Sequence, residues 1–426
     1  MNTLNEMLIK DFHISPETVK LVEEAEAEVK AEFDAIDAMA MYNQAKVLKA
    51  YADNQIGEQH FVPTTGYGYN DMGRDAIERV YAQAFGCEDA LVRHTIISGT
   101  HALSTALFGV LRPGDTLVSA VGKPYDTLNE VIGSEGKTGD GSLADFGINY
   151  REAAMDAAGG ADFDAIRACI DDSVKAVLIQ RSKGYLWRKT LSVAQINEII
   201  DFIHGIREDI ICIVDNCYGE FTEAEEPHGD LIVGSLIKNP GGGIAPTGGY
   251  IAGKEKYVEL ASYRLTSVGI GKEAGASLEN NRPILQGFFM APHIVAQALK
   301  SARLCSSVFY KLGYEVCPLP HEANADIITS IKFGAPELVI AFCQGIQKGA
   351  PVDSFVEPQP WEMPGYADPV IMAAGAFVQG ASIELSADAP IKPPYIAYVQ
   401  GALTYESAKV GIMVAITKVL EKKLEK

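Results

Sequence analysis

The chain has 426 residues, of which 47% are hydrophobic and 22% charged, as expected of a globular protein long enough for two domains. Its formal net charge of −20 argues against nucleic acid as a partner, because phosphate binding needs a concentrated basic surface. The N-terminus lacks the basic segment and apolar run of a signal peptide, and no uncharged apolar stretch reaches the roughly 18 residues of a membrane span.

Seven cysteines are scattered along the chain without a CxxC pair, a pattern unlike that of a zinc knuckle. Reduced core thiols are the better interpretation, since cytosolic proteins keep their cysteines reduced. We therefore predict a cytoplasmic protein with no membrane segment.

The first predicted elements are helical. Residues 16–53 carry apolar side chains at helical spacing and predict one or two exposed amphipathic helices. A loop rich in glycine and tyrosine, TTGYGYNDMGRD, follows, and AIERVYAQAFG predicts another helix. We assign residues 1–60 to an N-terminal helical segment.

From about residue 89, short apolar runs alternate with helical stretches. The runs are ALVRHTII, DTLVSAV, GINYREA, VKAVLIQ, IICIVD and DLIVGSLIK, and GGYIAG closes the series. This alternation predicts an α/β fold, a doubly wound and mainly parallel sheet with helices on both faces. We assign it to a large domain at residues 61–285.

The last third of the chain predicts a different arrangement. A long helix, APHIVAQALKSARLCSSVFYKLG, leads into the shorter apolar runs EVCPL, DIITSIKF, IMAAGAF and ASIELS, which we interpret as strands. We predict a smaller α+β domain at residues 286–426.

Ligands of open parallel sheets bind beyond the carboxyl ends of the strands, so the residues that follow each apolar run are candidates for a site. The turn from Ser98 to Ala102, SGTHA, opens a helix after the first run, and backbone N–H groups at a helix start can bind an anion. Such turns are far more often ordinary helix caps, so this feature alone is weak.

Two charged residues follow later runs. Asp215 ends IICIVD, where a buried carboxylate costs free energy unless a cation or a hydrogen-bond donor meets it, although a helix cap is the commoner explanation. Lys238 ends DLIVGSLIK about one crossover unit later, which would bring it to the same sheet edge. A lone lysine near glycines is more usually a solvated turn residue.

Taken together, these features fit pyridoxal phosphate. The cofactor needs an amine for its Schiff base, a carboxylate that keeps its ring nitrogen protonated, and donors for its phosphate. It commonly also needs an aromatic face over the ring, and Tyr125 in VGKPYDTL is placed for that role, although a single tyrosine is more often a core residue.

The order of these motifs resembles the aspartate-aminotransferase-like (fold type I) pyridoxal-phosphate enzymes, and among them the Cys/Met metabolism branch. The matching order is SG-x-x-A, a tyrosine, VDN and S-x-x-K, the last from Ser235 to Lys238. The chain is closer still to the methionine γ-lyase-like or aluminium-resistance family, through TGYGYNDMGRD, LVRHTIISGTHA, IVDNCYGEF and VIMAAGAFVQGASIELSADAP. The likeness spans nearly the whole chain and implies the fold type I architecture.

The resemblance also implies roles for the residues at the matching positions. Lys238 would form the Schiff base and act as the Cα proton base, Asp215 would pair with the pyridinium nitrogen, and Tyr125 would stack on the ring and assist departure of the leaving group. The phosphate would be held by Ser98, Gly99, Thr100 and Ser235. A buried lysine beside the cationic cofactor should have a lowered pKa.

In the wider branch, a Tyr-x-Arg segment reaches across a dimer interface to the neighbour's phosphate. Tyr67, Tyr69 and Arg74 lie in the comparable stretch with a different spacing. The resemblance therefore implies a homo-oligomer, either a dimer or a tetramer, with shared active sites.

One departure from the family pattern concerns the substrate. The branch usually carries an arginine that clamps the substrate carboxylate, and Glu384 stands at that place. Lys392 is no conservative replacement, because an ammonium group cannot make a bidentate clamp. Arg181, which follows another strand end, could supply the clamp, and Lys183, Trp187 and Arg188 are further candidates.

The resulting expectation is a carbon–sulfur lyase acting on a sulfur-containing amino acid. An aminotransferase or racemase would use the same sheet edge and is the first alternative. A cation-binding resistance protein is the second, but the acidic segments 23–34 and 219–226 are interpreted as solvated faces, whereas hard cations need clustered carboxylates.

Overall fold

A computed structural model describes residues 3–136, 139–363 and 368–425. The chain divides into two compact units, one formed by Tyr42–Ala291 and the other by the residues up to Met41 together with those from Pro292 onward. These units differ from the predicted domains, because the first helices pack on the C-terminal part of the chain. The hydroxyl of Tyr405 donates to Glu26 at 2.6 Å, for example, a contact between residues remote in sequence.

The described residues form the following helices and strands. The helices are α1 Thr3–Asp11, α2 Pro16–Glu28, α3 Lys30–Asp53, α4 Met72–Phe85, α5 Gly99–Val110, α6 Asp126–Ile132, α7 Phe163–Cys169, α8 Val193–Ile206, α9 Glu255–Leu265, α10 Asn281–Lys311, α11 Pro336–Lys348 and α12 Tyr405–Leu424. The strands are β1 Asp89–Arg93, β2 Thr116–Ser119, β3 Asn149–Glu152, β4 Val174–Gln180, β5 Ile211–Asp215, β6 Leu231–Ser235, β7 Gly249–Gly253, β8 Glu315–Cys317, β9 Ile328–Lys332, β10 Val370–Ala374, β11 Ser386–Pro390 and β12 Ile396–Gln400. None of the helices in the described ranges combines the length and the apolar character that a membrane crossing requires.

The unit Tyr42–Ala291 is built around a seven-stranded sheet of order β1-β7-β6-β5-β4-β2-β3. The strands from β3 to β6 in this order are parallel to their neighbours, and β7 is antiparallel to both β6 and β1. This confirms the predicted mainly parallel α/β sheet. Strands β5 and β6 are buried at every position, which explains why they appear in the sequence as unbroken apolar runs.

The other unit contains a five-stranded antiparallel sheet of order β10-β11-β12-β9-β8. The predicted strand ASIELS is wrong, because the strand begins at Ser386 and the preceding residues form a turn. The buried Glu384 explains the turn: its two carboxylate oxygens accept the backbone N–H groups of Phe377 and Val378, each at 2.8 Å. A carboxylate that accepts two neighbouring backbone N–H groups holds that stretch of backbone in a loop.

Helices α11 and α12 of this unit pack closely through small residues. A Cβ added at Gly345 would overlap with the backbone of Ala415, and one added at Gly349 would overlap with Gly411. Because backbone rather than a flexible side chain fills this space, the crossing has no room for another methyl group.

We predict that Gly345→Ala destabilises the protein by about 1–3 kcal/mol, the typical cost of overpacking a close contact. The matched control is Gly205→Ala in α8, where a Cβ would meet nothing within 4 Å. There, alanine should stabilise the helix by about 0.5–1 kcal/mol. Urea unfolding measures both changes, and equal effects of the two substitutions would contradict the close packing of α11 on α12.

Candidate active site

Three chain segments meet at the carboxyl edge of the large sheet. Strand β5 ends at Asp215, strand β6 ends at Ser235, and α5 begins at Gly99. A Cβ added at Gly99 would lie 3.1 Å from Sγ of Cys217 and 3.7 Å from Cβ of Ser235. The start of α5 is therefore in contact with the segments that follow β5 and β6, as the strand order predicts.

The predicted helix start is also correct in detail. Ser98 is the N-cap of α5, and its hydroxyl accepts the backbone N–H of His101 at 3.1 Å. Because the first N–H groups of a helix have no partner within the helix, this end of α5 can bind an anion. Gly99 carries no side chain, and Cys217 and Ser235 pack against it.

Asp215 presents a buried carboxylate at the end of β5. Its Oδ1 accepts the backbone N–H of Cys217 at 3.2 Å. Burial raises the pKa of Asp215, and the positive charge of Lys238 opposes this shift. A carboxylate with so little compensation is well suited to hold a cationic ring nitrogen.

Lys238 lies three residues beyond β6, and its side chain is half-buried. Its Nζ lies 3.9 Å from the ring centroid of Tyr218. Burial lowers the pKa of Lys238, but Cys217, Tyr218 and Asp215 outweigh it and raise the pKa well above its usual value. The lowering predicted from the sequence refers to a lysine beside the cationic cofactor, and it stays a prediction.

Tyr125 lies at the same edge, where its hydroxyl is 3.0 Å from Oγ1 of Thr100 and its backbone N–H donates to Gln180 at 3.0 Å. Burial and the nearby carboxylate of Asp215 raise the pKa of Tyr125 far above its usual value, so its phenol carries a proton at neutral pH. Thr100, expected to contribute its backbone, also contributes its hydroxyl to this contact.

The sequence analysis missed Tyr218. Its backbone φ is 73°, in the left-handed region that side chains rarely adopt and that costs about 1–3 kcal/mol. The surrounding structure holds it there, with its ring against Lys238. The only signal was its place in IVDNCYGEF, directly after Asp215.

The segment predicted to face a partner subunit includes the loop before α4 and the first turn of that helix. Tyr67 and Tyr69 are exposed, and their rings stack with centroids 5.6 Å apart. Arg74 is instead buried and donates to the carbonyls of Gly68 at 2.7 Å and Gly275 at 2.9 Å. Its guanidinium therefore joins two loops of its own chain.

The structure does not support the predicted clamp role of Arg181. Its side chain is fully buried and donates to Asn216 at 2.7 Å, to Thr222 at 3.2 Å and to Glu223 at 2.7 Å. The guanidinium of Arg181 is therefore already bonded to side chains of the protein itself. Lys392, the other candidate, lies in the other compact unit and pairs with Asp368 at 2.8 Å.

The acidic segment 219–226 is also different from its predicted solvated face, because Glu220 and Glu226 are buried. One further group of possible metal ligands, His204, Cys212 and Asp230, comes together at the other end of β5. The carboxylate of Asp230 already accepts the N–H of Cys212 at 2.7 Å and pairs with Lys254 at 2.6 Å, which explains the cluster without a metal ion.

The site fits pyridoxal phosphate on its own geometry. Lys238 supplies an amine, Asp215 a buried carboxylate, and the start of α5 N–H groups near Ser235. The same residues would hold the cofactor if it binds as the sequence predicts.

Comparisons with known proteins agree with this fit. The family model for methionine gamma-lyase matches residues 18–420. The uncharacterized protein YnbB of Bacillus subtilis (strain 168) is 50% identical over 408 residues, covering 95% of this chain and 97% of that protein. A carbon–sulfur lyase involved in aluminium resistance from Clostridium novyi NT has a TM-score of 0.95 at 49% identity, covering 98% of this chain and 100% of that one.

Two further solved structures extend the comparison. A candidate cystathionine β-lyase involved in aluminium resistance from Listeria monocytogenes str. 4b F2365 has a TM-score of 0.92 at 50% identity, covering 94% of this chain and 99% of that one. A candidate O-acetylhomoserine (thiol)-lyase from Campylobacter jejuni, solved with a pyridoxyl-lysine monophosphate, shares the fold at a TM-score of 0.53 and 15% identity, over 80% of this chain and 85% of that one. With its family model matched over nearly the whole length and a lysine, a carboxylate and an anion-binding helix start at one sheet edge, the chain belongs to the methionine gamma-lyase family of pyridoxal-phosphate enzymes.

Proposed function

We propose that the protein is a carbon–sulfur lyase that cleaves a sulfur-containing amino acid at Cβ or Cγ, of the methionine γ-lyase or cystathionine lyase type. The observation that carries this proposal is the meeting of Lys238, Asp215 and the start of α5 at one sheet edge. The names of the relatives from Clostridium novyi and Listeria monocytogenes, both lyases, support the choice of reaction.

When bound, pyridoxal phosphate supplies an electron sink for the carbanion that forms at the substrate Cα. Lys238 anchors the cofactor through its amine and then moves the proton at the substrate Cα. Asp215 holds the proton on the ring nitrogen, which its buried and poorly compensated carboxylate favours. Ser98, Gly99, Thr100 and Ser235 orient the phosphate.

Tyr125 is suited to the departure of the sulfur leaving group. Its phenol stays protonated, because burial and Asp215 raise its pKa, and its hydroxyl is fixed by Thr100 at 3.0 Å. A protonated phenol can donate its proton to a developing thiolate as the carbon–sulfur bond breaks. Tyr218 holds the nitrogen of Lys238 against its ring.

We also propose that two copies of the chain associate through the loops around Tyr67. Exposed apolar side chains concentrate there, with Tyr67 exposed to 74%, Tyr69 to 54%, Val268 to 86% and Leu278 to 57%. The backbone N–H of Gly275, in the loop before α10, donates to the carbonyl of Tyr67, in the loop before α4, at 2.8 Å. The two loops therefore form one surface. Such a patch is typical of an interface.

In this association, Tyr67 and Tyr69 would complete the phosphate site of the second copy, as the resemblance implies. Arg74 would contribute by holding their loop, since its guanidinium binds the carbonyls of Gly68 and Gly275. We expect a homodimer or a homotetramer in the cytoplasm that acts on a small-molecule substrate.

The first prediction concerns Lys238→Ala. The variant should lose the visible absorbance band of lysine-bound pyridoxal phosphate, and its turnover should fall by about 10²–10⁴-fold, the contribution of a positioned proton-transfer group. The matched control is Lys256→Ala, because Lys256 is an exposed lysine of the same compact unit. Retention of the band in Lys238→Ala would show that another residue binds the cofactor.

The second prediction concerns the substrate. Purified holoenzyme mixed separately with methionine, homocysteine, cystathionine and cysteine should release a 2-oxo acid and ammonia from at least one of them, together with a thiol from methionine or cystathionine and hydrogen sulfide from homocysteine or cysteine. Asp215→Asn should lower this release while it leaves the fold intact. Formation of pyridoxamine phosphate without ammonia would instead identify an aminotransferase, and conversion of one enantiomer into the other a racemase.

The third prediction concerns association. The double variant Tyr67→Asp/Tyr69→Asp should have a lower molar mass by light scattering and a weaker affinity for pyridoxal phosphate, because charges replace an exposed apolar pair. Tyr310→Asp is the control, since Tyr310 is 55% exposed in the other unit. An unchanged mass of the double variant would place the interface elsewhere.

A further inference from the structure

Besides the exposed Glu225, the segment that follows Asp215 carries three glutamates that the proposed reaction does not use. Glu220 and Glu226 are buried, and Glu223 is partly exposed. Arg181 pairs with two of the three, with Glu223 at 2.7 Å and with Glu226 at 3.5 Å. The charge of the arginine is therefore already shared between two carboxylates, and Glu220 is not among its partners in the described ranges.

Glu226 has the contacts of an ionised carboxylate. Its Oε1 accepts the backbone N–H of Phe221 at 3.0 Å, and its Oε2 accepts the amide of Asn216 at 2.8 Å and lies 3.5 Å from Arg181. Several donors and a cation compensate the cost of burying this charge.

Glu220 has the contacts of an uncharged acid. Its side chain is fully buried, its Oε1 accepts the hydroxyl of Tyr250 at 2.8 Å, and its Oε2 has no hydrogen-bond partner in the described part of the chain. The Tyr250 hydroxyl and a backbone N–H are both neutral donors and do not offset the cost of burying a negative charge, whereas a protonated carboxyl costs far less. Burial, and then the charge of Glu226, raise the pKa of Glu220 to about 8.

Glu220 is also tied to the segment that carries the lysine. A Cβ added at Gly234 of β6 would overlap with the Glu220 carboxyl and the Tyr250 ring, so this side chain lies across the strand that leads to Lys238. The backbone carbonyl of Glu220 accepts the side-chain amide of Asn239, the residue after Lys238, at 3.0 Å.

The titratable groups around Glu220 come from every element packed against it. Lys238 lies close enough to lower the pKa of Glu220, and Glu220 in turn raises the pKa values of Cys217 after β5, Tyr250 on β7 and Tyr81 on α4. Of these neighbouring groups, Glu226 included, Lys238 is the one that carries a positive charge. A change in the charge of Glu220 therefore changes the electrostatic potential at the side-chain nitrogen of Lys238.

We propose that Glu220 is a neutral carboxylic acid at neutral pH and a positioning residue for Lys238. Its carboxyl joins the segment after β5 to Tyr250 on β7, and its backbone carbonyl joins the same segment to Asn239 after β6. In its ionised form it adds a negative charge beside Lys238 and favours the protonated state of the lysine nitrogen. The second part rests on the proposed role of Lys238, and the first part does not.

The proposal has a defined pH dependence. The folded protein holds a proton on Glu220 up to about pH 8, whereas the unfolded chain releases it near the usual value of 4.5. The folded state therefore binds more protons across this window, and the stability of the protein falls as the pH rises through it. Glutamine at this position keeps the neutral shape and removes the dependence.

The test compares holoenzyme with its Glu220→Gln and Glu226→Gln variants. Infrared spectra near neutral pH should contain the carbonyl stretch of a protonated carboxyl that disappears in Glu220→Gln. In Glu226→Gln the stretch should remain at acidic pH and disappear at a lower pH than in wild type, because the charge of Glu226 no longer raises the pKa of Glu220. The urea midpoint of the wild-type protein should fall relative to Glu220→Gln as the pH rises towards 8. Glu226→Gln should be less stable than wild type at neutral pH, because it removes a partner of Arg181.

A carbonyl stretch that Glu220→Gln leaves unchanged would overturn the neutral-acid assignment. If that variant does not fold, the same stretch in the wild-type protein decides the point, because it should disappear with a midpoint near pH 8. The positioning role is tested by the pH at which the visible absorbance band of lysine-bound pyridoxal phosphate changes on the alkaline side. This midpoint should move to lower pH in Glu220→Gln, because the nitrogen of Lys238 loses a neighbouring anion. An unmoved midpoint would reject the positioning role, whereas a missing band in wild type would reject the proposed function itself.

Discussion

The architecture of this protein depends on one electrostatic arrangement, a buried carboxylate at the end of a central strand within reach of a lysine from the next strand. Asp215 cannot stay charged in an apolar sheet edge without compensation, and Lys238 supplies part of it. This pairing requires β5 and β6 to be adjacent and parallel, so that both chains leave the sheet on the same side. The start of α5 packs beside them, because Gly99 has no side chain that would collide with Cys217.

The large sheet could be predicted from the sequence because its strands are buried on both faces and therefore stand out as unbroken apolar runs. The smaller sheet was harder to predict from the sequence. The residues ASIELS alternate as a strand would, but the carboxylate of Glu384 binds the backbone of Phe377 and Val378 and turns the chain instead. The grouping of the first helices with the C-terminal part depends on packing between remote residues, which no local pattern records.

The same distinction applies to the site. Strand order alone brings Asp215 and Lys238 to one edge, so the sequence could predict them. It could not predict that Arg181 is used inside the protein, because its partners Glu223 and Asn216 become neighbours only after the chain folds back. Nor could it predict the left-handed backbone of Tyr218, a conformation that tertiary contacts impose on a residue with no preference for it.

The buried Glu384 has a consequence for how substrate recognition can change during evolution. An arginine at this position would not simply add a carboxylate clamp, since it would remove the acceptor of two backbone N–H groups and bring a charge into a buried loop. The loop would first have to find another acceptor, so the change requires at least two coupled substitutions. Sequences on either side of that step are separated by a barrier in stability, and lineages that carry the glutamate are expected to stay with a different way of holding their substrate.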